Sequence, residues 1–530
     1  MGVQNFPRRL LLSVSTIVAL LANQCLATPQ ADVSDLPAHL EALRPKYLPD
    51  FRNLAEQIYN HPEIGRSEFF AHNITMEYFQ KEHPGLWEVT PSILKTLPTA
   101  WKLEYSHRPS DWPEDKPLPI VGFMSEMDAL EGIGHSCGHH LIHMQGLYAA
   151  SLARQALIDY NIAGRLVHVG TPDEEEACGK HDLAVAGVFE ESQVWLMCHP
   201  TISSDIQPMS WRDNIIVRVI EKTHFEAVKA VYNMLVPIRN LIGKLPGTNS
   251  TASIVEDVGM FVCNVVEADI ALGVVGPDIA TVNDTINAIK SSNAGYVTTN
   301  FTVAKNAKIE GGIDIMFHGN AGHTASNNLG ALDMSVDAFQ ALNASDPSFE
   351  FYMPDNTTSS ELDFTVDCRT RWTDEGRDVI NAVLPFITTK NYVLDVEYPA
   401  LEIDPYLGQL FVDTIALPEY GKQIWPITPL APAATDAGWV QQAIVNSDHT
   451  VKGFGKAVVH ANYNICPSNQ TICPFNHEPL FRPLAGLDFA YQETEKVARA
   501  LAQIAVELLN DPEKMAVATK DIIAGPKKRV

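Results

Sequence analysis

Two rhythms of apolar and polar positions run along the chain, and they divide it. Outside the middle third, short apolar runs alternate with amphipathic stretches. Leu48–Asn60 has helical spacing, with Pro49 placed in the first turn, and His140–Leu157 and Gly486–Asn510 show the three- and four-residue recurrence of helices. Ile120–Ser125, Gly164–Thr171 and Val194–Cys198 read as buried strands. Strands separated by helices predict an α/β layer built on a mixed, largely parallel sheet with helices on both faces. The Trp- and Pro-rich segment 85–118 reads as an irregular excursion, and the terminal Gly-Pro-Lys-Lys-Arg-Val as a frayed tail.

The middle, 212–398, has longer strands and a pattern that recurs. A first unit, 212–305, reads as strand Asn214–Ile220, helix Phe225–Ile242, strands Thr251–Cys263 and Val266–Val275, helix Pro277–Ile289 and strand Tyr296–Val303. A second, 306–398, reads as strand Gly311–His318, helix Gly330–Ala344, strands Phe349–Met353 and Glu361–Arg369, helix Thr373–Phe386 and strand Tyr392–Tyr398. Both give β-α-β-β-α-β, so the expectation is a tandem repeat; one large insertion that happens to alternate is the other reading. The organisation expected is therefore a leader at 1–27, a first catalytic part at 28–211, this insertion at 212–398, and a second catalytic part at 399–530.

The first residues carry a different signal. Arg8 and Arg9 precede the apolar stretch Leu10–Ala22, and Cys25-Leu-Ala27 offers small residues for cleavage. That layout predicts a secretory signal peptide. Seven N-x-[ST] sequons, at Asn73, Asn249, Asn283, Asn300, Asn343, Asn356 and Asn469, fit a secreted and N-glycosylated product. The net charge of −26 argues against nucleic acid or an anionic membrane surface as partner, since both need a basic face. Eight cysteines are few for a disulfide scaffold. Cys466 and Cys473, bracketing a Pro/Ser/Asn loop, are the pair expected to bond.

Four clusters could do chemistry. Cys137 and His139 lie two residues apart between a buried strand and a helix, following Glu126 and Asp128, so thiolate and imidazole can reach one cation. Asp173-Glu174-Glu175-Glu176 ends another strand; such crowding is costly unless a cation offsets it, although a solvated acidic turn would look the same. His199 closes a third strand, and His477 lies in a loop before the last helix. Three of the four fall where open α/β sheets collect ligands, beyond the carboxyl ends of strands. Thiolate, imidazole and carboxylate donors suit Zn²⁺ or a similar divalent ion, and their number points to two ions rather than one.

These motifs, in this order, resemble the M20 metallopeptidase family, in its branch of N-acyl amino acid hydrolases and related dipeptidases. The matching text is Asn60-His61-Pro62-Glu63-Ile-Gly65-Arg-Ser-Glu68, Glu126-Met-Asp128-Ala-Leu, His135-Ser-Cys137-Gly-His139, Gly170-Thr-Pro172-Asp-Glu174-Glu175, Cys198-His199-Pro200 and Phe475-Asn-His477-Glu478. Phe317-His-Gly-Asn-Ala-Gly-His323, Gly330-Ala-Leu-Asp333 and Thr435-Asp436-Ala-Gly438 extend it. The resemblance implies a catalytic α/β domain split by an inserted ferredoxin-like lid, and hydrolysis of amide bonds in N-acyl amino acids, dipeptides or related small amides. It implies Cys137, His139, Glu175, His199 and His477 as ligands of two divalent ions, zinc foremost with manganese or cobalt as alternatives, and Cys137 as the bridge. Glu174 is implied as general base, Asp128 as a residue orienting a ligand, and His323 as the donor to the oxyanion. Arg369 matches a position near an arginine that holds a substrate carboxylate; an arginine on the surface or packed within the lid is the other reading.

Departures from the branch are a lid of about double size, His140 in place of Asp or Asn, and Cys178 in place of a small residue. A doubled lid suggests a monomer in which the second copy stands in for a dimer partner and His323 serves its own chain, a homodimer remaining the alternative; His224, in the corresponding place of the first copy, is expected to be inert. A biosynthetic amide-forming enzyme or a non-catalytic metal-binding protein would use the same residues. No G-x-S-x-G elbow supports a serine hydrolase.

Overall fold

The structure, a computed structural model, describes residues 30–242, 269–319, 330–355, 357–428, 433–442 and 455–524, with the backbone of short strands at 253–257, 265–266 and 322–323. The expected leader, the sequons at Asn249 and Asn356, and the terminal tail lie outside these residues.

The first sheet takes β1 (Glu88–Thr90), β2 (Trp101–His107), β3 (Ile120–Ser125), β4 (Gly164–Gly170) and β5 (Val194–Thr201), in the spatial order β1-β2-β4-β3-β5. β3 runs parallel to β4 and β5, whereas β1 and β2 add an antiparallel edge. The segment expected to be irregular thus contributes two strands. Trp101, Leu103 and Tyr105 alternate with Lys102 and Glu104, and that half-polar alternation suits an outer strand.

Side chains of β5 leave alternately to the two faces. Val194, Leu196 and Cys198 join a core with the helices Arg44–Asn60, His139–Asp159 and Asp488–Asn510. Trp195 and Met197 join a second core with Leu183, Trp439 and Leu401. Helices therefore cover both faces, which is why the parallel strands read as continuous apolar runs. The helix expected from Leu48 begins at Arg44, so Pro49 sits inside it; Pro45 occupies the first turn.

The middle segment has its own core, running from Trp211 to Ala400. Its strands are β6 (Trp211–Ile220), β7 (Ser253–Asp257), β8 (Val265–Val266), β9 (Asp269–Val275), β10 (Asn300–Lys305), β11 (Gly312–His318), β12 (Gly322–His323), β13 (Glu350–Tyr352), β14 (Glu361–Thr370) and β15 (Tyr392–Leu394). They form two four-stranded antiparallel sheets, β15-β6-β14-β7 and β10-β11-β9-β13, and a short β8–β12 pair.

This pairing corrects the tandem reading. The chain order β6, helix His224–Ile242, β7, β14, helix Thr373–Val383, β15 is one β-α-β-β-α-β unit. The order β9, helix Ile279–Ser292, β10, β11, helix Ala331–Ser345, β13 is another, and it is inserted between β7 and β14 of the first. The units are nested, not consecutive at 212–305 and 306–398. Periodicity reports the type of each element, whereas the partner of β7 is fixed by contacts far along the chain. The two units meet through their helices, where the Tyr232 ring stacks on Phe339 at 4.9 Å.

After the inserted segment the chain returns with β16 (Ala457–Asn464), which pairs parallel with β5 and sets Asn462 opposite His199. The first sheet is thus made from both ends of the chain. Cys466 and Cys473, just beyond β16, form the expected disulfide. Among the described residues no helix is long and apolar enough to cross a membrane.

Candidate metal centre

The carboxyl ends of β3, β4 and β5 converge with the loop before the last long helix, and the side chains singled out in the sequence meet there. Cys137, His139 and His199 present ligand atoms within 4.8 Å of one another, and so do Cys137, Glu175 and His477; Cys137 is common to both groups. His139, Glu174 and Glu175 form a third such group.

Local backbone geometry explains how they get there. Gly138 has φ +84 and directly precedes the helix that His139 begins, so Cys137 and His139 turn inward from opposite sides of one residue. A Cβ at Gly138 would lie 2.8 Å from Pro200 Cγ, so glycine is required on both counts. His477 and Asp173 also hold left-handed φ, +71 and +64, without being glycine. Such strain is kept where neighbours over-determine it. The His477 amide donates to Ser136 O, and the Asp173 amide donates to Glu68 Oε1.

The imidazoles are aimed by their second nitrogens. His139 Nδ1 lies 2.8 Å from Asp128 Oδ1, and its Nε2 faces Glu126 Oε2 at 3.5 Å and Glu175 Oε1 at 3.6 Å. His199 Nδ1 lies 2.9 Å from Pro200 O, and its Nε2 lies 3.4 Å from Cys137 Sγ. His477 Nε2 lies 3.2 Å from Glu175 Oε1. Asn476 Nδ2 is 3.7 Å from Cys137 Sγ and donates to Pro200 O at 3.0 Å.

Burial makes the cluster electrostatically demanding. It raises the Cys137 thiol well above its ordinary range, with the Glu175 charge adding to the effect. Burial, together with Glu126, Glu175 and Asp436, likewise raises Glu174. Burial opposes ionisation of Glu175 too, but His477 and His139 overcome it and hold that carboxyl below its usual range. The residues fit divalent cations. Glu126, Asp128, Glu174, Glu175 and Asp436 are buried acids, with Lys180 the buried lysine that faces them. Glu126 Oε2, Glu175 Oε2 and His139 Nε2 make no hydrogen bond among the described residues. A thiol, three imidazoles and a carboxylate around one point are also a transition-metal donor set.

Beside the cluster lies a network that spacing could not reveal. Lys180 Nζ donates to Glu126 Oε1 and to Asp436 Oδ1, each at 2.6 Å, and the Lys180 amide donates to Asp436 Oδ2 at 2.9 Å. The Asp436 amide in turn faces Glu174 Oε1 at 3.4 Å. Lys180 reads in sequence as an ordinary helix-surface charge, and only its neighbours show otherwise. His460 on β16 was equally unmarked; its ring centroid lies 5.8 Å from that of His199.

Arg369, His323 and His224 belong to the inserted segment. Arg369 is buried on β14 within the inserted segment, where its Nε and Nη2 donate to Asp367, and it pairs across to Arg212 on β6. Its guanidinium is paired with a carboxylate of its own strand. His323 lies on β12 opposite Val265, inside the inserted unit, and its side chain is outside the described residues. His224 bonds Ser359 O and accepts from the Met353 amide, a structural role at the head of its helix.

No protein-family model matches the chain. It is 39% identical to Xaa-Arg dipeptidase of Homo sapiens over 153 residues, 28% of this chain and 35% of that protein. It is 25% identical to a p-aminobenzoyl-glutamate hydrolase chain of Escherichia coli over 178 residues, 30% of this chain and 34% of that protein. The matches thus span about a third of these curated relatives. Among solved structures, a dinuclear metal binding peptidase from the M20 family of Bacillus subtilis aligns at TM-score 0.42 and 11% identity, covering 87% of this chain and 99% of that one. Through the stretch they share, the chain is a homologue of Xaa-Arg dipeptidase and of p-aminobenzoyl-glutamate hydrolase.

Proposed function

We propose that the protein is a secreted, N-glycosylated metallohydrolase of amide bonds, acting on N-acyl amino acids, dipeptides or related small amides. The observation that carries this reading is the sharing of Cys137 between two ligand groups, with Glu174 alongside both. The homologues named as a dipeptidase and as an aminobenzoyl-glutamate hydrolase point to the same bond.

Cys137, His139, Glu175, His199 and His477 would hold two divalent cations, zinc foremost. Bound there, the cations supply Lewis acidity toward a water and an amide carbonyl. Asp128 keeps His139 in the tautomer whose Nε2 faces inward. Glu174 Oε1 faces the Asp436 amide, which leaves Oε2 to take the proton of the attacking water and return it to the departing nitrogen. His323, carried by the inserted unit, would donate to the tetrahedral oxyanion. With the second inserted unit standing in for a dimer partner, His323 would serve its own active site and the protein would be a monomer. The exposed sequons Asn73, Asn300 and Asn469 are the sites for glycan.

The test is hydrolysis of a panel of N-acyl amino acids and dipeptides before and after chelation. Activity that is lost on chelation and restored by Zn²⁺ is the expected result. A protein that cleaves the panel equally well after exhaustive chelation would refute the reading.

A further inference from the structure

Of the segments packed against the acidic loop, one comes from the base of the lid. The Tyr398 hydroxyl donates to the backbone carbonyl of Glu174 at 2.7 Å, and both residues are buried. Tyr398 is also where the lid joins the catalytic sheet. Its amide donates to Arg212 O at 2.7 Å and its carbonyl accepts the Arg212 amide at 2.9 Å, so the chain leaving the lid is bridged to the strand that enters it. The Arg212 guanidinium lies 5.2 Å from the Tyr398 ring and is paired with Asp367 on β14. The residues before Tyr398 are fixed as well: Glu397 O accepts from Trp439 Nε1 at 2.7 Å, and Cys178 Sγ lies 3.7 Å from the carbonyls of Val396 and Glu397.

Two amides of the loop are pinned from the catalytic part. The Asp173 amide is held by Glu68 and the Glu175 amide by Asp128. The carbonyl of Glu174 is the point held from the lid side, by a rigid ring that the lid strands themselves orient.

We propose that Tyr398 is a positioning residue for Glu174, fixing the peptide that carries the base and tying its placement to the base of the lid. This rests on the reading of Glu174 as the general base. Removing the hydroxyl frees the Glu174 peptide to rotate while its carboxylate must still meet a proton on a water held elsewhere. Small displacements of a group that moves a proton cost rate far more than they cost binding.

The experiment is a double-mutant cycle of Tyr398→Phe and Glu174→Gln, read by kcat, KM, bound metal per chain and melting temperature. Phenylalanine keeps the ring against Arg212, so the variant is expected to fold and to bind metal as the native chain does. In the native background Tyr398→Phe lowers kcat about tenfold with KM within about twofold. In the Glu174→Gln background it has no further effect, because its route to the reaction is already gone. An unchanged kcat overturns the proposal. So does a loss that persists undiminished in the Glu174→Gln background, or one that tracks lost metal or lost fold. If Glu174→Gln itself retains native kcat, the base assignment fails, and that failure is visible before Tyr398 is tested.

Discussion

Asp128 Oδ1 lies 2.8 Å from His139 Nδ1, and the same carboxylate takes the Glu175 amide on Oδ2 at 3.0 Å. One side chain therefore aims two of the proposed ligands. Asparagine offers only one acceptor oxygen, so Asp128→Asn must lose one of the two contacts. We expect metal affinity to fall about 10- to 100-fold with the fold intact. Titration of the metal-free protein with Zn²⁺ checks this; equal affinity in native and variant chains would show that Asp128 orients nothing.

Lys180 is fully buried, with its ammonium between Glu126 and Asp436. Lys180→Met leaves two buried carboxylates without their cation, and breaking a buried pair in this way costs about 3–5 kcal/mol. Urea denaturation of the metal-free protein should show that loss, and Asp436→Asn on top of Lys180→Met should recover part of it. A loss under about 1 kcal/mol would mean the network is solvated after all.

A glycine is indispensable at one point. Gly138→Ala would place a Cβ against Pro200 at a backbone conformation that costs an L-residue about 1–2 kcal/mol. Because Cys137 and His139 flank it, the variant should lose both melting temperature and metal affinity. An unaffected zinc titration would separate the turn from the ligands.

Away from the site, burial pushes Asp213 up to about 8, with the Glu397 and Asp395 charges adding to the shift. The folded state therefore keeps a proton that the unfolded chain gives up near the ordinary carboxylate range, so stability is full at low pH and falls as pH rises toward 8. Asp213→Asn removes the titrating group while keeping an oxygen for the Asn214 amide. Its stability should fall less steeply than the native chain's between pH 4 and 8, by at most about 1.4 kcal/mol per pH unit. Parallel slopes in denaturation series at fixed pH values would contradict this.

How far the sequence could be read depended on the range of the interactions involved. β3 was legible residue for residue because a strand buried on both faces is an uninterrupted apolar run ending at Ser125. β2 was not, because its half-buried Lys102 and Glu104 break the run amid prolines. The proposed ligands Cys137, His139, Glu175, His199 and His477 were legible as a series of motifs that come together in space. Lys180 and Tyr398 were not, since each becomes distinctive only through partners distant along the chain, Glu126 and Asp436 for one and Glu174 for the other. The nesting of the two inserted units was hidden for the same reason: element types follow from periodicity, but strand pairing does not.

The most direct test of the account is metal analysis of the purified protein beside Glu174→Gln, with both assayed on N-acyl amino acids and dipeptides. The account predicts two divalent ions per chain in each protein, amide hydrolysis by the native chain, and a loss of kcat of at least about 100-fold in the variant. A native protein without bound metal, or a Glu174→Gln variant that hydrolyses at the native rate, would contradict it.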